Sequence, residues 1–263
     1  MPGAYSRLIS TMRTKRRILG QHFLNSPRLA ERVARIAKIE NQVVVEIGSG
    51  KGILTRQLAK RAKKVIAVEI DSWLANYLQE LGLPRVHVLN RDFLKIDLCD
   101  WGNTVVVGNI PYNITSVILR KLAENKEYVE RVVFTVQKEY AVRMMAPVGS
   151  SKYGYVSIYT NHHFDVRKEF NIQARYFSPR PKVNSVVITL IPRKTGYDVA
   201  YEAKLFEFIA GVFRYRRKSL KNAIMNYGQW LPMDLDDDRF GQRPQHLSLD
   251  DYREIYRMIS RAS

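Results

Sequence analysis

A single cysteine, Cys99, in 263 residues leaves no partner for a disulfide and no thiol pair for zinc. The five histidines, two of them adjacent at His162 and His163, lack a metal-ligand spacing, so no metal is expected. No run of residues approaches the roughly 20 apolar positions of a membrane helix. The expectation is a protein without a membrane anchor, in a reducing, cytoplasmic setting. Acidic residues are also scarce: 25 Asp and Glu face 43 Lys and Arg, a formal net charge of +18. An imbalance this large for the length is a footprint for phosphate. What the chain does have is apolar material, 46% of its residues, enough for a substantial core in one large and one small domain.

The positive charge is clustered. Runs occur at residues 13–17, 60–64 and 214–221, and in the last Tyr215 interleaves with the cations. The middle run reads as a solvated helix face. The outer two read as contacts to nucleic-acid phosphates, carried by Arg16, Arg17, Arg214, Arg216, Arg217 and Lys218. The first thirty residues contain no acid, as in a mitochondrial presequence. A basic arm is the preferred reading, because residues 20–24 belong to the fold and leave little to remove.

Apolar, β-branched runs predict strands near 43–48, 64–70, 86–90, 104–109, 131–137 and 185–191, with helices between most of them. This alternation argues for a parallel sheet covered on both faces, an α/β fold. Residues 153–172 are ambiguous: the first half suits a helix, and 164–170 alternates like a strand. Residues 192–196 read as a linker. Helical periodicity at 205–213 and 249–259 then gives a small C-terminal helical domain, so the expected division is 1–192 and 193–263.

Three segments at predicted strand ends carry chemistry. Val43 to Ile47 runs into Gly48-Ser49-Gly50-Lys51-Gly52 and then a helix, a cradle in which residues without Cβ allow close approach of a ligand. The spacing is Gly-x-Gly-x-Gly rather than the Gly-x-Gly-x-x-Gly of dinucleotide folds. The second strand ends in Glu69, at the offset where a carboxylate meets ribose hydroxyls, and the third leads to Asp92, which suits an adenine amino group. Asn109-Ile110-Pro111-Tyr112 supplies an amide, a turn stiffened by proline and an aromatic face. The Asn109 side-chain oxygen and the Ile110 carbonyl are suited to accept both hydrogens of an exocyclic amine, leaving its lone pair aimed at an electrophile.

With these motifs the chain resembles the ribosomal RNA adenine dimethyltransferases, from Gly20-Gln21-His22-Phe23-Leu24 through the glycine and Asn-Ile-Pro-Tyr turns. The likeness continues through Val136-Gln137-Lys138-Glu139 and Phe177-Ser178-Pro179-Arg180-Pro181-Lys182-Val183 to Arg216-Arg217-Lys218. The last three segments are more similar to the small-subunit branch than to the erythromycin-resistance methylases. The resemblance implies a Rossmann-like methyltransferase sheet, closing with an antiparallel addition, and S-adenosylmethionine as cofactor. It implies that His22, Leu24, Gly48, Glu69, Asp92 and Asn109 surround that cofactor, and the candidate set takes in their neighbours Gln21, Gly50, Ile70 and Phe93. Asn109, Ile110, Pro111, Tyr112 and Phe177 are the candidate catalytic residues, with Tyr112 and Phe177 sandwiching the adenine. The implied activity is methylation of adenine N6 in small-subunit ribosomal RNA or a pre-ribosomal particle by a monomer, dimethylating adjacent adenines in a loop. His stands at position 22 where bacterial members often have Asn; both hydrogen-bond.

Two rivals remain at this level. An NAD-dependent oxidoreductase shares the glycine turn and Glu69 but leaves Asn109 to Tyr112, Phe177 and the charge unexplained. A non-enzymatic RNA-binding assembly or transcription factor on the same fold stays open, because fold does not settle activity.

Overall fold

The computed structural model describes residues 22–111, 114–228 and 237–262. After a short strand β1 (Phe23–Leu24), helix α1 (Pro27–Ile36) starts where Ser26 caps the Leu29 N–H and Pro27 occupies the first turn. Strands β2 (Val43–Ile47), β3 (Lys64–Val68), β4 (Val86–Leu89) and β5 (Thr104–Asn109) alternate with α2 (Ile53–Ala59) and α3 (Ser72–Glu80). Next come α4 (Thr115–Glu124), β6 (Val129–Gln137), α5 (Lys138–Met144), α6 (Tyr155–His163), β7 (Phe164–Ile172), β8 (Phe177–Ser178) and β9 (Ser185–Pro192). The chain then turns helical in α7 (Val199–Phe213), α8 (Leu220–Tyr227) and α9 (Leu249–Ala262). The ambiguous stretch is thus a helix followed directly by a strand.

Seven strands form one sheet in the order β4-β3-β2-β5-β6-β9-β7. The five from β4 to β6 run parallel and β9 is antiparallel to β6. The parallel strands read as near-continuous apolar runs because both faces are covered: Val44, Val45, Ile66, Val105, Val106 and Val133 are all fully buried. β2 pairs with β3 on one side and β5 on the other, so crossovers diverge at its carboxyl end, the place where open α/β sheets bind ligands.

The chain packs as two compact units, and a single cut at 192/193 does not describe them. One unit holds residues up to 141 together with 165–192; the other holds 142–164 together with 193–263. The physical reason is that Tyr153, just ahead of α6, together with Ile158 and the tyrosines of α6, packs in one apolar cluster with residues of α7, α8 and α9. In that cluster Tyr252 is fully buried and its hydroxyl donates to the Pro244 carbonyl at 2.7 Å. Sequence periodicity cannot show which of two cores a helix joins.

Candidate active site

The glycine turn leaves β2 with Gly48 at φ +68° and open space where a Cβ would stand, a backbone that a ligand can approach. Gly50, at φ +55°, has the Phe23 ring where its own Cβ would be, 2.8 Å away, so the turn packs on the strand β1. Glu69, 1% exposed, follows β3 and pins this turn: Oε2 accepts from the Gly50 N–H at 2.8 Å and Oε1 from the Asp71 N–H at 2.9 Å. Burial pushes its carboxyl above the ordinary range, and those backbone bonds only partly offset the effect. Asn90, which sequence reasoning passed over, fixes the same strand end by donating to the Glu69 carbonyl at 2.9 Å and the Ile70 carbonyl at 3.3 Å. A lone asparagine after a strand gives no signal of that reach.

Asn109 ends β5 and its Nδ2 donates to the His22 carbonyl at 2.6 Å. Because a carbonyl only accepts, this bond fixes which end of the amide is nitrogen and leaves Oδ1 as the remaining acceptor. The His22 ring is tied as well, Nδ1 donating to the Pro179 carbonyl at 2.7 Å. The N-terminal segment is then stitched to β8 by the pairs Phe23 with Ser178 and Leu24 with Phe177, and by the Asn25 N–H on the Tyr176 carbonyl at 2.9 Å. Ile110 is buried and its N–H donates to the Thr135 carbonyl at 3.0 Å, while the Pro111 carbonyl accepts from Ile114 N–H and the Thr115 hydroxyl. These bonds, with the fixed φ of proline, hold Ile110 and Pro111 in place.

Leu24, Gly48, Asn109 and Phe177 come together around one small cavity of about 40 Å³, with Phe23, Glu46, Ser49, Lys51 and Thr135 among its other walls. Phe177 is only 3% exposed and also packs in the apolar cluster that includes Val33, Phe170 and Ile172. His22, Gly50, Glu69, Ile70, Asp92, Phe93, Ile110 and Pro111 are not among its walls: Ile70 is exposed, Phe93 is buried, and Asp92 accepts from the Leu94 N–H at 2.9 Å, capping a short turn. Gln21, Tyr112, Arg16 and Arg17 lie outside the described residues.

Sequence reasoning missed Glu46. It is 1% exposed on β2, and its Oε2 accepts from the Thr55 hydroxyl at 2.6 Å. Burial drives its pKa up to about 7, which the Thr55 and Ser49 hydroxyls partly oppose and the neighbouring Glu69 charge reinforces. The Ser49 hydroxyl is near enough to influence Glu46, yet its buried Oγ has no hydrogen-bond partner of good geometry. An orphaned hydroxyl, an open glycine turn and buried carboxylates suit a polar ligand bearing hydroxyls and an amino group, as S-adenosylmethionine does.

The basic run 214–218 is a turn between α7 and α8, and its side chains divide. Arg214 and Arg217 are exposed; Arg216 donates to the Ser151 carbonyl at 2.9 Å and Gln245 Oε1 at 3.0 Å; Lys218 donates to Asn226 at 2.9 Å. In the middle run, Arg61 pairs with Glu40 at 3.3 Å and Glu31 at 3.8 Å. Histidine spacing suggested no metal ligands, but folding brings donor atoms of His162, His163 and Glu202 within 4.8 Å of one another. His162 Nε2 donates to Glu202 at 2.6 Å and its Nδ1 accepts from Arg253 at 3.2 Å. That tautomer commits both nitrogens of His162 to protein partners. No helix among the described residues is long and apolar enough to cross a membrane.

The chain is similar to known ribosomal RNA methyltransferases along most of its length. Ribosomal RNA small subunit methyltransferase A of Thermotoga maritima is 36% identical over 248 residues, covering 93% of this chain and 85% of that protein. The probable ribosomal RNA small subunit methyltransferase A of Methanosarcina mazei is 36% identical, covering 91% of each. Among solved structures, a dimethyladenosine transferase from Plasmodium falciparum superposes with a TM-score of 0.75 at 27% identity, covering 91% of this chain and 98% of that one. The 23S rRNA methyltransferase ErmE gives 0.67 at 26% identity, covering 90% and 99%. Residues 12–258 match the family described as ribosomal RNA adenine dimethylase, and the chain belongs to that family.

Proposed function

We propose that this chain is an S-adenosylmethionine-dependent methyltransferase that modifies the N6 amino group of adenines in small-subunit ribosomal RNA, dimethylating adjacent adenines of a loop during ribosome assembly. The observation that carries the reading is Asn109, whose amide nitrogen is held by the His22 carbonyl so that its oxygen remains to accept. The small subunit is favoured over the large because relatives named for it are 36% identical, against 26% for ErmE.

The bound cofactor supplies an electrophilic methyl group on a sulfonium. Glu69 accepts hydrogen bonds from the ribose through lone pairs that Gly50 and Asp71 leave open, and Asp92 accepts from the adenine amine with the oxygen not used in capping. Asn109 Oδ1 and the Ile110 carbonyl accept the two hydrogens of the target amine. An adenine amine is a poor nucleophile because its lone pair is delocalised into the ring, and two acceptors favour the pyramidal nitrogen that restores it. Fixing the reactants in this way recovers on the order of 7–11 kcal/mol of barrier. The attacking nitrogen gains a methyl group and loses one proton, which becomes acidic after transfer and leaves to water, so no strong base is needed. Tyr112 and Phe177 hold the target ring, and the base is cheapest to unstack in a loop. Arg16, Arg17, Arg214, Arg216, Arg217 and Lys218 position the RNA through its phosphates.

The test is transfer of labelled methyl from S-adenosylmethionine to unmodified small subunits, followed by nuclease digestion and chromatography of the nucleosides. Label in N6,N6-dimethyladenosine is the expected result. Tight particle binding without transfer would instead identify a non-enzymatic assembly or transcription factor.

A further inference from the structure

Helices α4 and α5 follow the neighbouring parallel strands β5 and β6, and one side-chain bond joins the two helix starts. The Ser116 hydroxyl, in the first turn of α4, and the Tyr140 hydroxyl, in the first turn of α5, share a hydrogen bond at 2.8 Å in which either can donate. Ser116 is exposed and Tyr140 half-buried, so water would serve both hydroxyls and the bond is not needed to satisfy a buried group. Its two ends lead instead to the two sides of the site. On the α4 side, Thr115 is buried and its hydroxyl donates to the Pro111 carbonyl at 3.3 Å, which also accepts from the Ile114 N–H at 3.2 Å. The first turn of α4 thereby holds the residue next to the Ile110 carbonyl. On the α5 side, the Lys138 N–H donates to the Asn184 carbonyl at 3.0 Å, and Asn184 Oδ1 accepts from the Ala174 N–H at 3.0 Å, closing the stretch that carries Phe177. We propose that the Ser116–Tyr140 bond is a brace that sets the Ile110 carbonyl relative to the Phe177 ring, making Ser116 and Tyr140 positioning residues for methyl transfer. The assignment rests on the roles given above to Ile110 and Phe177.

The demand for such a brace comes from the substrate. One planar adenine must place its amine on the acceptors and its ring on Phe177 at the same time, so the two sides have to keep a fixed separation. A displacement of about 1 Å between them turns the amine out of line with the methyl group and slows transfer. A tyrosine carries its hydroxyl on a rigid ring, so covalent geometry sets the span between the helices. The bond is neutral and exposed, so breaking it shifts the balance between aligned and misaligned arrangements by about two- to tenfold. Neither residue walls the cavity shared by Leu24, Gly48, Asn109 and Phe177, so cofactor binding does not depend on the brace.

The experiment is single-turnover transfer of labelled methyl from S-adenosylmethionine to unmodified small subunits by the full chain, with both reactants saturating. Tyr140→Phe removes one hydroxyl and keeps the ring; Ser116→Ala removes the other and favours the helix, so neither threatens the fold. Each should lower the rate about two- to tenfold while affinities for S-adenosylhomocysteine, by calorimetry, and for the particle stay unchanged. The double variant should fall no further than the slower single variant, because both changes break the same bond. Ser116→Thr, which keeps a hydroxyl, should retain the rate. Unchanged rates in both single variants, losses that multiply in the double variant, or cofactor affinity falling in step with the rate overturn the brace. If the unaltered protein transfers no methyl, the activity reading fails first and the brace falls with it.

Discussion

The buried carboxyl of Glu46 makes the stability of the cofactor-free protein depend on pH in a way that one substitution removes. Its pKa rises from 4.5 to about 7 on folding. Below pH 4.5 both states are protonated and the group has no effect. As pH rises from there, the unfolded chain ionises first and the folded state loses relative stability until Glu46 itself ionises near pH 7; above that the loss is constant. At 1.36 kcal/mol for each pH unit, that interval is worth about 3 kcal/mol. Glu46→Gln keeps an acceptor oxygen for Thr55 and removes the titration. The variant should therefore match the unaltered protein near pH 4.5–5 and exceed it by up to about 3 kcal/mol at pH 8. For a urea slope of roughly 1–3 kcal/mol/M, the midpoint rises by about 1 M or more. Trp73 and Trp101 lie in the same compact unit as Glu46, so tryptophan fluorescence follows its unfolding. A gap between the two proteins that stays constant from pH 5 to pH 8, or a variant less stable at pH 8, would refute the burial argument.

Asn109→Ala should fold and bind cofactor at least weakly yet lose most methyl transfer; near-normal single-turnover rates would remove its assigned role. Glu69→Gln should weaken cofactor binding in calorimetry with little change in RNA affinity, and protease sensitivity should rise at the glycine turn that Glu69 pins; unchanged cofactor affinity rejects the ribose role. Phe177 is too buried for a clean alanine test, since such a truncation costs about 3–5 kcal/mol of stability. Phe177→Leu, which keeps most of the volume, should lose the roughly 1–3 kcal/mol of base stacking in turnover while particle affinity holds; full turnover would exclude stacking. Neutralising Arg214 and Arg217 together should weaken particle binding and flatten its salt dependence, leaving cofactor affinity intact. A salt slope equal to that of the unaltered protein would make these arginines a solvated surface.

Several features were legible in the sequence because they depend on near neighbours in the chain. The β-branched runs fixed the parallel strands, and the spacing of Gly48, Gly50 and Gly52 fixed a turn at positive φ, which residues free of Cβ adopt at least cost. Each is a local steric fact. Tertiary structure decided what depends on distant partners. The tie from Asn109 to the His22 carbonyl spans 87 positions and turns an asparagine into an oriented acceptor. Phe177 reads in sequence as one face of a base sandwich with Tyr112, and only the fold shows that it is also buried, paired with Leu24 and packed in the cluster of Val33, Phe170 and Ile172. Residues 142–164 join the helical unit because α6 buries its apolar face there, and the run 214–218 divides because Arg216 finds Ser151 and Gln245. Glu46 shows the limit most clearly: in sequence it is one acid in a strand, and only the strands packed around it remove its water and make its charge a variable.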